Sequence, residues 1–235
     1  ADALNKSGNV DAAIEVLQTL NRNFPELPQS FATLGDTLRR IERNQEANDA
    51  YHKALALIPE NSPALWLIYY NRAITYHQMD QWPEAEADFR KALSFQPDQP
   101  QVLNYLGYSL VERAEKLDEA LDMIERAVTA QPDNGAIVDS LAWVYFQLGR
   151  YEDAVEPMEL AATLEPVDPI LLDHLGDVYW AVGREIEATF QWNRALSFDP
   201  EEGEAVRIRR KLEVGLDAVR IEEGDAPIRL ISEDN

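Results

Sequence analysis

The sequence predicts an all-α solenoid in which about six helix pairs stack in a row and one further helix covers the end. Two observations predict this fold. One residue pattern recurs with a period near 34 residues, and each copy contains two amphipathic helical segments joined by a short turn. The clearest copy is 135–168, with a turn at Leu148-Gly149-Arg150 and a closing Pro166. Fixed periods of this length indicate stacked-repeat architectures.

Three columns of residues carry the period, with spacings of 34, 38, 35, 34 and 34 residues. The first column is alanine: Ala13, Ala47, Ala85, Ala120, Ala154 and Ala188. The second lies seven residues on: Leu20, Ala54, Ala92, Ala127, Ala161 and Ala195. The third is proline: Pro25, Pro59, Pro97, Pro132, Pro166 and Pro200. Columns that stay in step through the whole chain indicate a repeat rather than a chance pattern.

The columns divide the chain into a partial repeat, five full repeats, a capping helix and a tail. In order, these are 1–27, 28–61, 62–99, 100–134, 135–168, 169–202, 203–222 and 223–235. Each closing proline falls where the second helix has ended, so its missing N–H disrupts no helix. Gly8, Gly149 and Gly183 stand where a turn calls for positive φ.

Small and large residues alternate in a way that favours close helix packing. Gly35, Gly107 and Gly176, with the alanine columns, let two helices approach closely. We expect large side chains to fill the gap to the next pair: Tyr51, Phe89, Ile124, Met158 and Trp192. Because no pair can bury its apolar face alone, stability is expected to come from stacking.

Three irregularities interrupt the pattern. Repeat 62–99 has four extra residues, which we interpret as one more turn on its first helix, and Arg72 stands where Leu is expected. Repeat 100–134 has one extra residue near Glu115-Lys116, where a glycine turn is expected. Pro157 lies inside a second helix, where it removes a backbone hydrogen bond and predicts a kink.

The last helix, over about 203–222, is predicted to cover the open end of the stack. Its apolar stripe has helical spacing: Ala205, Ile208, Leu212, Leu216 and Val219. Its outer face carries basic residues that we expect to be solvated: Arg207, Arg209, Arg210 and Lys211.

The repeat resembles the tetratricopeptide repeat, whose pattern is an aromatic, Leu-Gly, Tyr, Ala, an aromatic and Pro. The sixth segment follows it with Leu172, Leu175-Gly176, Tyr179, Ala188, Trp192 and Pro200. The resemblance covers residues 1–202 and implies a right-handed superhelix of antiparallel helix pairs, normally a scaffold that binds proteins or peptides. The later repeats also resemble those of bacterial multi-repeat proteins of poorly defined role.

Composition narrows the possible functions. The 21 basic and 43 acidic residues give a net charge of −22, which disfavours nucleic-acid binding and favours basic partners. The chain has no cysteine, which excludes disulfides, thiol catalysis and zinc–thiolate sites. No apolar run approaches the roughly 18–20 residues that span a bilayer, so we predict no membrane span. The sequence leaves open the bacterial cytoplasm and the periplasm.

Residues facing away from the partner helix are expected to line a concave groove. The predicted partner-binding residues are Tyr70, His77, Asn104, Tyr108, Asp139, Trp143, Phe146, Asp173, Asp177 and Trp180. Carboxylates among aromatic rings suit a peptide or protein segment with Lys or Arg and apolar anchors. Alternatively, the rings pack between successive first helices and the acids are solvated. Trp180 is the member that the capping helix could cover.

No catalytic, metal or cofactor site is predicted. His52, His77 and His174 lie in different repeats without paired ligand spacing, and we find no phosphate-binding glycine loop or nucleophile elbow. The sequence therefore predicts a non-enzymatic scaffold.

Two other functions remain open at this stage. One is a structural, self-associating array, because the partial first repeat is expected to leave Val10, Ile14 and Leu17 short of cover and could form a homodimer. The other is a regulatory arm of a larger protein whose other domain lies upstream. In the tail 223–235, Ile228, Leu230 and Ile231 are candidate anchors, and we favour packing along the last helices.

Overall fold

The computed structural model describes residues 9–228, and within them the fold is all-α as predicted, with thirteen helices and no strand. The chain forms two compact units, Ala1–Val102 and Leu103–Asn235.

The described part of unit 1 contains five helices and the start of a sixth. They are α1 (Val10–Asn23), α2 (Pro28–Arg39), α3 (Asn44–Leu57), α4 (Leu65–Gln78), α5 (Trp82–Phe95) and α6 (Pro100–Glu112), which continues into unit 2. α2 packs on α3, and α4 packs on α5, so each repeat is a helix pair.

The described part of unit 2 continues the same alternation of first and second helices. After α6 come α7 (Leu117–Ala130), α8 (Gly135–Gln147), α9 (Tyr151–Leu164), α10 (Pro169–Ala181), α11 (Glu185–Leu196), α12 (Glu202–Val214) and α13 (Leu216–Glu223). α9 runs through Pro157 as a helix of 14 residues. α8 packs on α9, and α10 packs on α11.

Local sequence explains where the first helices begin. The side chain of Asp168 accepts hydrogen bonds from the backbone N–H groups of Ile170 and Leu171, which satisfies donors that the first turn leaves open. Pro169 follows at the first helical position, where no N–H is needed. Asn134 caps α8 in the same way through the N–H of Ile137.

The turns inside the repeats use left-handed backbone. Gly149 and Gly183 have φ of 73° and 81°, as predicted, whereas Gly8 lies outside the described residues. Glu42 and Asp80 take the same conformation in their repeats, with φ of 59° and 57°. These two turns therefore hold a side chain where glycine is favoured.

The extra residue of repeat 100–134 lies in its turn, near the position that the sequence indicates. Ala114 and Lys116 have φ of 51° and 49°, so this turn has two left-handed residues. The second of them is the N-cap of α7.

Small and large residues meet within a helix pair. A Cβ placed on Gly35 would lie 2.5 Å from Cε1 of Tyr51, on the partner helix of the same repeat. A Cβ on Gly107 would lie 2.8 Å from Cγ1 of Ile124. These two large residues therefore occupy the space that a glycine of their own pair leaves, and the prediction that the large residues also fill the gap to the next pair stays a prediction.

The repeat 62–99 differs from the predicted extra helical turn. α4 has 14 residues and the regular first helices α8 and α10 have 13, so one extra residue lies in the helix. The others lengthen the connection 58–64. Pro59 and Pro63 explain the difference, since a proline lacks an N–H and disfavours helical backbone in the residue before it.

Arg72, the second irregularity of that repeat, is buried in an ion pair. Its Nε lies 2.6 Å from Oδ2 of Asp88, and its Nη2 lies 2.8 Å from Oδ1. The guanidinium also lies over the rings of Tyr69 and Tyr76, at 5.5 and 5.6 Å from their centroids. A bidentate pair between aromatic rings thus takes the place of the expected leucine.

The single helix predicted over 203–222 is two helices, α12 and α13. Gly215 separates them with φ of 83°, and a Cβ there would lie 2.5 Å from Cη2 of Trp180. The prediction that Lys211 is solvated is also wrong. Lys211 is 1% exposed, because its ammonium group lies between two carboxylates of α10.

Two predictions for the chain ends meet different outcomes. Ile14 and Leu17 are 5% and 3% exposed and belong to the core around α2, so the expectation that they lack cover is wrong. The N–H of Ile228 donates to Oδ1 of Asp217 at 2.7 Å, which places the start of the tail against α13. Leu230 and Ile231 lie outside the described residues.

Candidate interaction surfaces

A cleft of about 190 Å³ lies between the first helices α2 and α4 of unit 1. Pro28, Ala32 and Leu67 give it apolar walls, and Asp36 and Asn71 also line it. Leu67 is 42% exposed, a large fraction for an aliphatic side chain beside a cleft. An open apolar cleft with few polar groups is the usual form of a small binding site.

Asp36 is held in a fixed orientation within this cleft. Its Oδ1 accepts hydrogen bonds from the hydroxyl of Tyr51 at 2.8 Å and from Nδ2 of Asn71 at 2.9 Å. Both bonds go to the same oxygen, so neither of them uses Oδ2. Burial raises the pKa of Tyr51, with a further contribution from the charge of Asp36, so this hydroxyl remains a donor at neutral pH.

The other predicted groove residues of unit 1 are half-buried on α4. Tyr70 packs beside Phe89, with ring centroids 6.0 Å apart, and burial raises its pKa. His77 lies with its ring edge toward Trp82 at 5.8 Å. Both side chains are therefore oriented by packing and retain some exposed surface.

Asn104 and Tyr108 are the half-buried predicted residues at the start of unit 2. Burial raises the pKa of Tyr108, with a further contribution from the negative charge of Glu112. The side-chain oxygen of Asn104 is buried and has no hydrogen-bond partner among residues 9–228.

Trp143 and Phe146 are packed rather than open. Trp143 is 9% exposed, and its indole stacks on Phe146 at 4.9 Å and on the ring of His174 at 4.0 Å. Its Nε1 donates to Oε1 of Glu112 at 2.8 Å. The ring of Trp143 thus packs between the first helices α8 and α10, whereas Phe146 packs against its own helix and against Tyr151 of α9.

Asp139 forms a buried ion pair with His174. Its Oδ1 lies 2.9 Å from Nδ1 of the imidazole. Burial alone would lower the pKa of His174, but the charge and hydrogen bond of Asp139 outweigh it and raise this pKa to about 9. The imidazole is therefore protonated at neutral pH and neutralises the carboxylate.

Asp173 and Asp177 surround a cation supplied by α12. The ammonium of Lys211 donates to Oδ2 of Asp173 at 2.7 Å and to both oxygens of Asp177 at 2.7 and 2.8 Å. The indole Nε1 of Trp192 also donates to Asp177, at 2.9 Å. Burial raises the pKa of Asp177, and Lys211 opposes that increase.

Trp180 is covered by the C-terminal helices, as the sequence analysis considered. Its Nε1 donates to Oδ2 of Asp217 at 2.9 Å. The ring fits over Gly215, where a larger residue would collide with it.

The structure therefore divides the predicted groove residues into two sets. Half-buried residues with accessible surface are Tyr70, His77, Asn104 and Tyr108. Residues already packed or paired within unit 2 are Asp139, Trp143, Phe146, Asp173, Asp177 and Trp180. The sequence did not reveal that Lys211 pairs with Asp173 and Asp177, or that His174 pairs with Asp139. The available signal was that Lys211 lies three residues after Ile208, at the helical spacing of the apolar stripe.

Within the described residues, no group of three or more His, Asp or Glu side chains is arranged to hold a metal ion. None of the helices in residues 9–228 has the length and apolar character needed to cross a membrane.

Comparison with known proteins decides the family. Residues 66–99 and residues 111–169 each match the tetratricopeptide repeat. The chain belongs to the tetratricopeptide repeat family. Tetratricopeptide repeats generally build protein–protein interaction scaffolds.

Relatives of this tetratricopeptide repeat chain include proteins of different kinds. A TPR repeat-containing protein of Pseudomonas aeruginosa is 29% identical over 153 residues, which is 65% of this chain and 25% of that protein. The BBSome complex member BBS4 of Mus musculus is 24% identical over 141 residues, or 60% of this chain and 26% of that protein. The chain thus spans about a quarter of the length of these curated relatives.

Solved structures share the fold. The APC/C hetero-tetramer Cut9–Hcn1 gives a TM-score of 0.76 at 16% identity, covering 91% of this chain and 40% of that one. A tetratricopeptide repeat protein of Parabacteroides merdae gives 0.74 at 18% identity, covering 95% and 84%. YrrB, described as a TPR protein with an unusual peptide-binding site, gives 0.62 at 19% identity, covering 84% and 99%.

Proposed function

We propose that this chain is a non-enzymatic scaffold that binds a peptide or protein segment on the first-helix face of unit 1. The observation that carries the proposal is the cleft between α2 and α4, where half-exposed Leu67 lies beside the oriented carboxylate of Asp36. Apolar walls supply contact area, and an oriented acidic group supplies specificity.

The ligand that fits this cleft carries an aliphatic side chain next to a lysine or arginine. The aliphatic group would contact Leu67 and Ala32, and the cation would approach Oδ2 of Asp36. Tyr70 and His77, farther along α4, would extend the contact along an elongated peptide. The net charge of −22 raises the association rate of a basic segment through long-range attraction.

In unit 2, Asn104 and Tyr108 are the predicted groove residues that a partner could reach directly. The side-chain oxygen of Asn104 is itself buried, so a peptide N–H would reach it only after the amide group rotates outward. It would then gain the hydrogen bond that it lacks in the free chain. The remaining predicted residues of unit 2 are packed or paired, so a partner would reach them only by displacing α12 or opening the aromatic stack.

The test is affinity capture from a lysate of the source organism, read by quantitative mass spectrometry. Wild type is compared with Leu67→Asp and with Leu57→Asp as a matched control. Leu57 is 39% exposed on α3 in the same unit and does not line the cleft. We expect Leu67→Asp to lose the partner and Leu57→Asp to retain it. Equal recovery by all three proteins contradicts the proposal.

A further inference from the structure

The carboxylates of Asp173 and Asp177 form a site for a primary ammonium group. They lie one turn apart on α10, and three of their oxygens accept hydrogen bonds of 2.7 to 2.8 Å from Nζ of Lys211. An ammonium has three N–H donors and therefore matches three acceptors. Both carboxylates and the lysine are at most 4% exposed, so this ion pair is shielded from water.

The carboxylates are not fully satisfied by Lys211. Oδ1 of Asp173 is buried without a hydrogen-bond partner among the described residues. Arg207, one turn before Lys211, approaches the two carboxylates only to 3.9 and 3.8 Å, and its Nε lies 2.8 Å from Oε1 of Glu223 instead. The site thus retains capacity for a further donor.

A helix that only covers the end of a repeat stack does not require this arrangement. Burying a lysine and two carboxylates has a large desolvation cost, and apolar residues of similar size often stabilise as well or better. Selectivity is the other role that a buried ion pair can have, and at this site it would favour a helix that presents an ammonium group.

The helix that supplies Lys211 has a small buried surface. α12 buries only Ala205, Ile208 and Lys211, and the short helix α13 buries Leu216 and Val219. By comparison, the first helix α10 buries nine of its 13 residues. Outward-facing Val206 is 56% exposed. The repeat helix α11 also buries only three side chains, so α12 has the burial of a second helix, and its opening is part of the proposal.

We propose that Asp173 and Asp177 form a lysine-recognition site for a helix of a partner protein, and that Lys211 occupies this site in the free chain. α12 then competes with the partner helix for the first-helix face of unit 2. This inference goes beyond the function proposed for unit 1 and does not rest on the cleft there.

The sequence of α12 specifies the partner. The matching helix is amphipathic, with an aliphatic residue three positions before its lysine, as Ile208 precedes Lys211. A small residue would stand six positions before the lysine, as Ala205 does, and an arginine four positions before it, as Arg207 does.

The test uses the full chain and a fluorescent peptide of residues 200–224, which carries Lys211. Anisotropy is measured with wild type and with Lys211→Ala, whose own helix no longer supplies an ammonium. We expect the variant to bind the peptide at least tenfold more tightly than wild type does. A matching peptide with Lys211→Gln should lose that gain, and so should the variant when it also carries Asp173→Asn and Asp177→Asn.

A second variant, Ile208→Ala, keeps the lysine and weakens the docking of α12, so it should show a smaller gain in peptide binding. It also provides a test if Lys211→Ala does not fold. Binding that is the same in wild type and the folded variants, or the same for both peptides, overturns the proposal. Leu67→Asp in unit 1 should leave peptide binding unchanged, which separates this result from the test of the cleft.

Discussion

At the scale of single residues, a buried charged partner has changed the charge state of a side chain. His174 is the clearest case, since a histidine that is 9% exposed has a pKa of about 9. In its pair with Asp139, the positive charge of the imidazole and the negative charge of the carboxylate neutralise each other. The stability of unit 2 should therefore depend on pH through this residue.

We predict that this dependence disappears in His174→Gln. The pKa is raised on folding from about 6.5 to about 9, so the contribution is complete below pH 6.5 and is lost as pH rises through 9. Its full size is on the order of 3 kcal/mol. Urea unfolding at several pH values between 6 and 9.5 measures it. The same pH slope in both proteins would disprove the assignment.

The left-handed turn residues give a second prediction at this scale. Glu42 has φ of 59°, a conformation that costs a non-glycine residue about 1 kcal/mol. Glu42→Gly should therefore raise the free energy of unfolding by about 0.5–1 kcal/mol. The reverse change, Gly149→Ala, should lower the free energy of unfolding, because Gly149 has φ of 73°. The new Cβ would have no neighbour within 4 Å, so the loss would come from the backbone conformation alone. Denaturant unfolding compares both variants with wild type.

At the scale of helices, the close approach of α2 and α3 depends on a glycine opposite a large side chain. Gly35→Ala would place a methyl group 2.5 Å from the ring of Tyr51 and should cost about 1–3 kcal/mol through overpacking. Gly203→Ala is the control, because Gly203 is also helical and has no neighbour within 4 Å. It should be neutral or slightly stabilising. Equal effects of the two changes would refute the packing account.

The ion pair of Arg72 and Asp88 joins α4 to α5, and a double-mutant cycle can measure its interaction energy. Arg72→Leu restores the residue type that the repeat pattern favours, but it leaves the carboxylate of Asp88 buried and unpaired. We expect a loss of about 3–5 kcal/mol, and recovery of most of it when Asp88→Leu is added. Unfolding free energies of the four proteins test this, and simple additivity would contradict it.

Some of these elements could be predicted from the sequence and others could not. The all-α repeat fold and the turns at Gly149 and Gly183 follow from local patterns that recur in each copy. The break at Gly215 depends on Trp180, which lies 35 residues earlier in the chain, so no local pattern reveals it. The burial of Lys211 likewise depends on carboxylates of another helix, and its basic side chain favoured a solvated interpretation.

The candidate site also combines features that the sequence predicts with contacts that depend on distant parts of the chain. The cleft of unit 1 includes Asp36 and Asn71, which lie on first helices and are hydrogen-bonded to each other. Leu67 was missed because a leucine in a first helix is normally assigned to the core. In unit 2 the predicted acids and aromatics are correctly assigned to first helices, but their partners come from neighbouring repeats and from α12.

At the scale of the whole molecule, the charge of −22 favours one class of partner throughout the chain. The cleft of unit 1 offers an oriented carboxylate, and unit 2 offers a carboxylate pair that is already occupied by a lysine. Under the two proposals, both features select basic segments, the first in an open site and the second in competition with the chain itself. Association should therefore slow as ionic strength rises.

The most direct test of the central claim is selection of random displayed peptides on the full chain, with Leu67→Asp and Leu57→Asp selected in parallel. Wild type and Leu57→Asp should enrich peptides that place an aliphatic residue next to lysine or arginine, and Leu67→Asp should not. Enrichment of the same peptides by all three proteins, or of acidic peptides by wild type, would contradict binding in the cleft between α2 and α4.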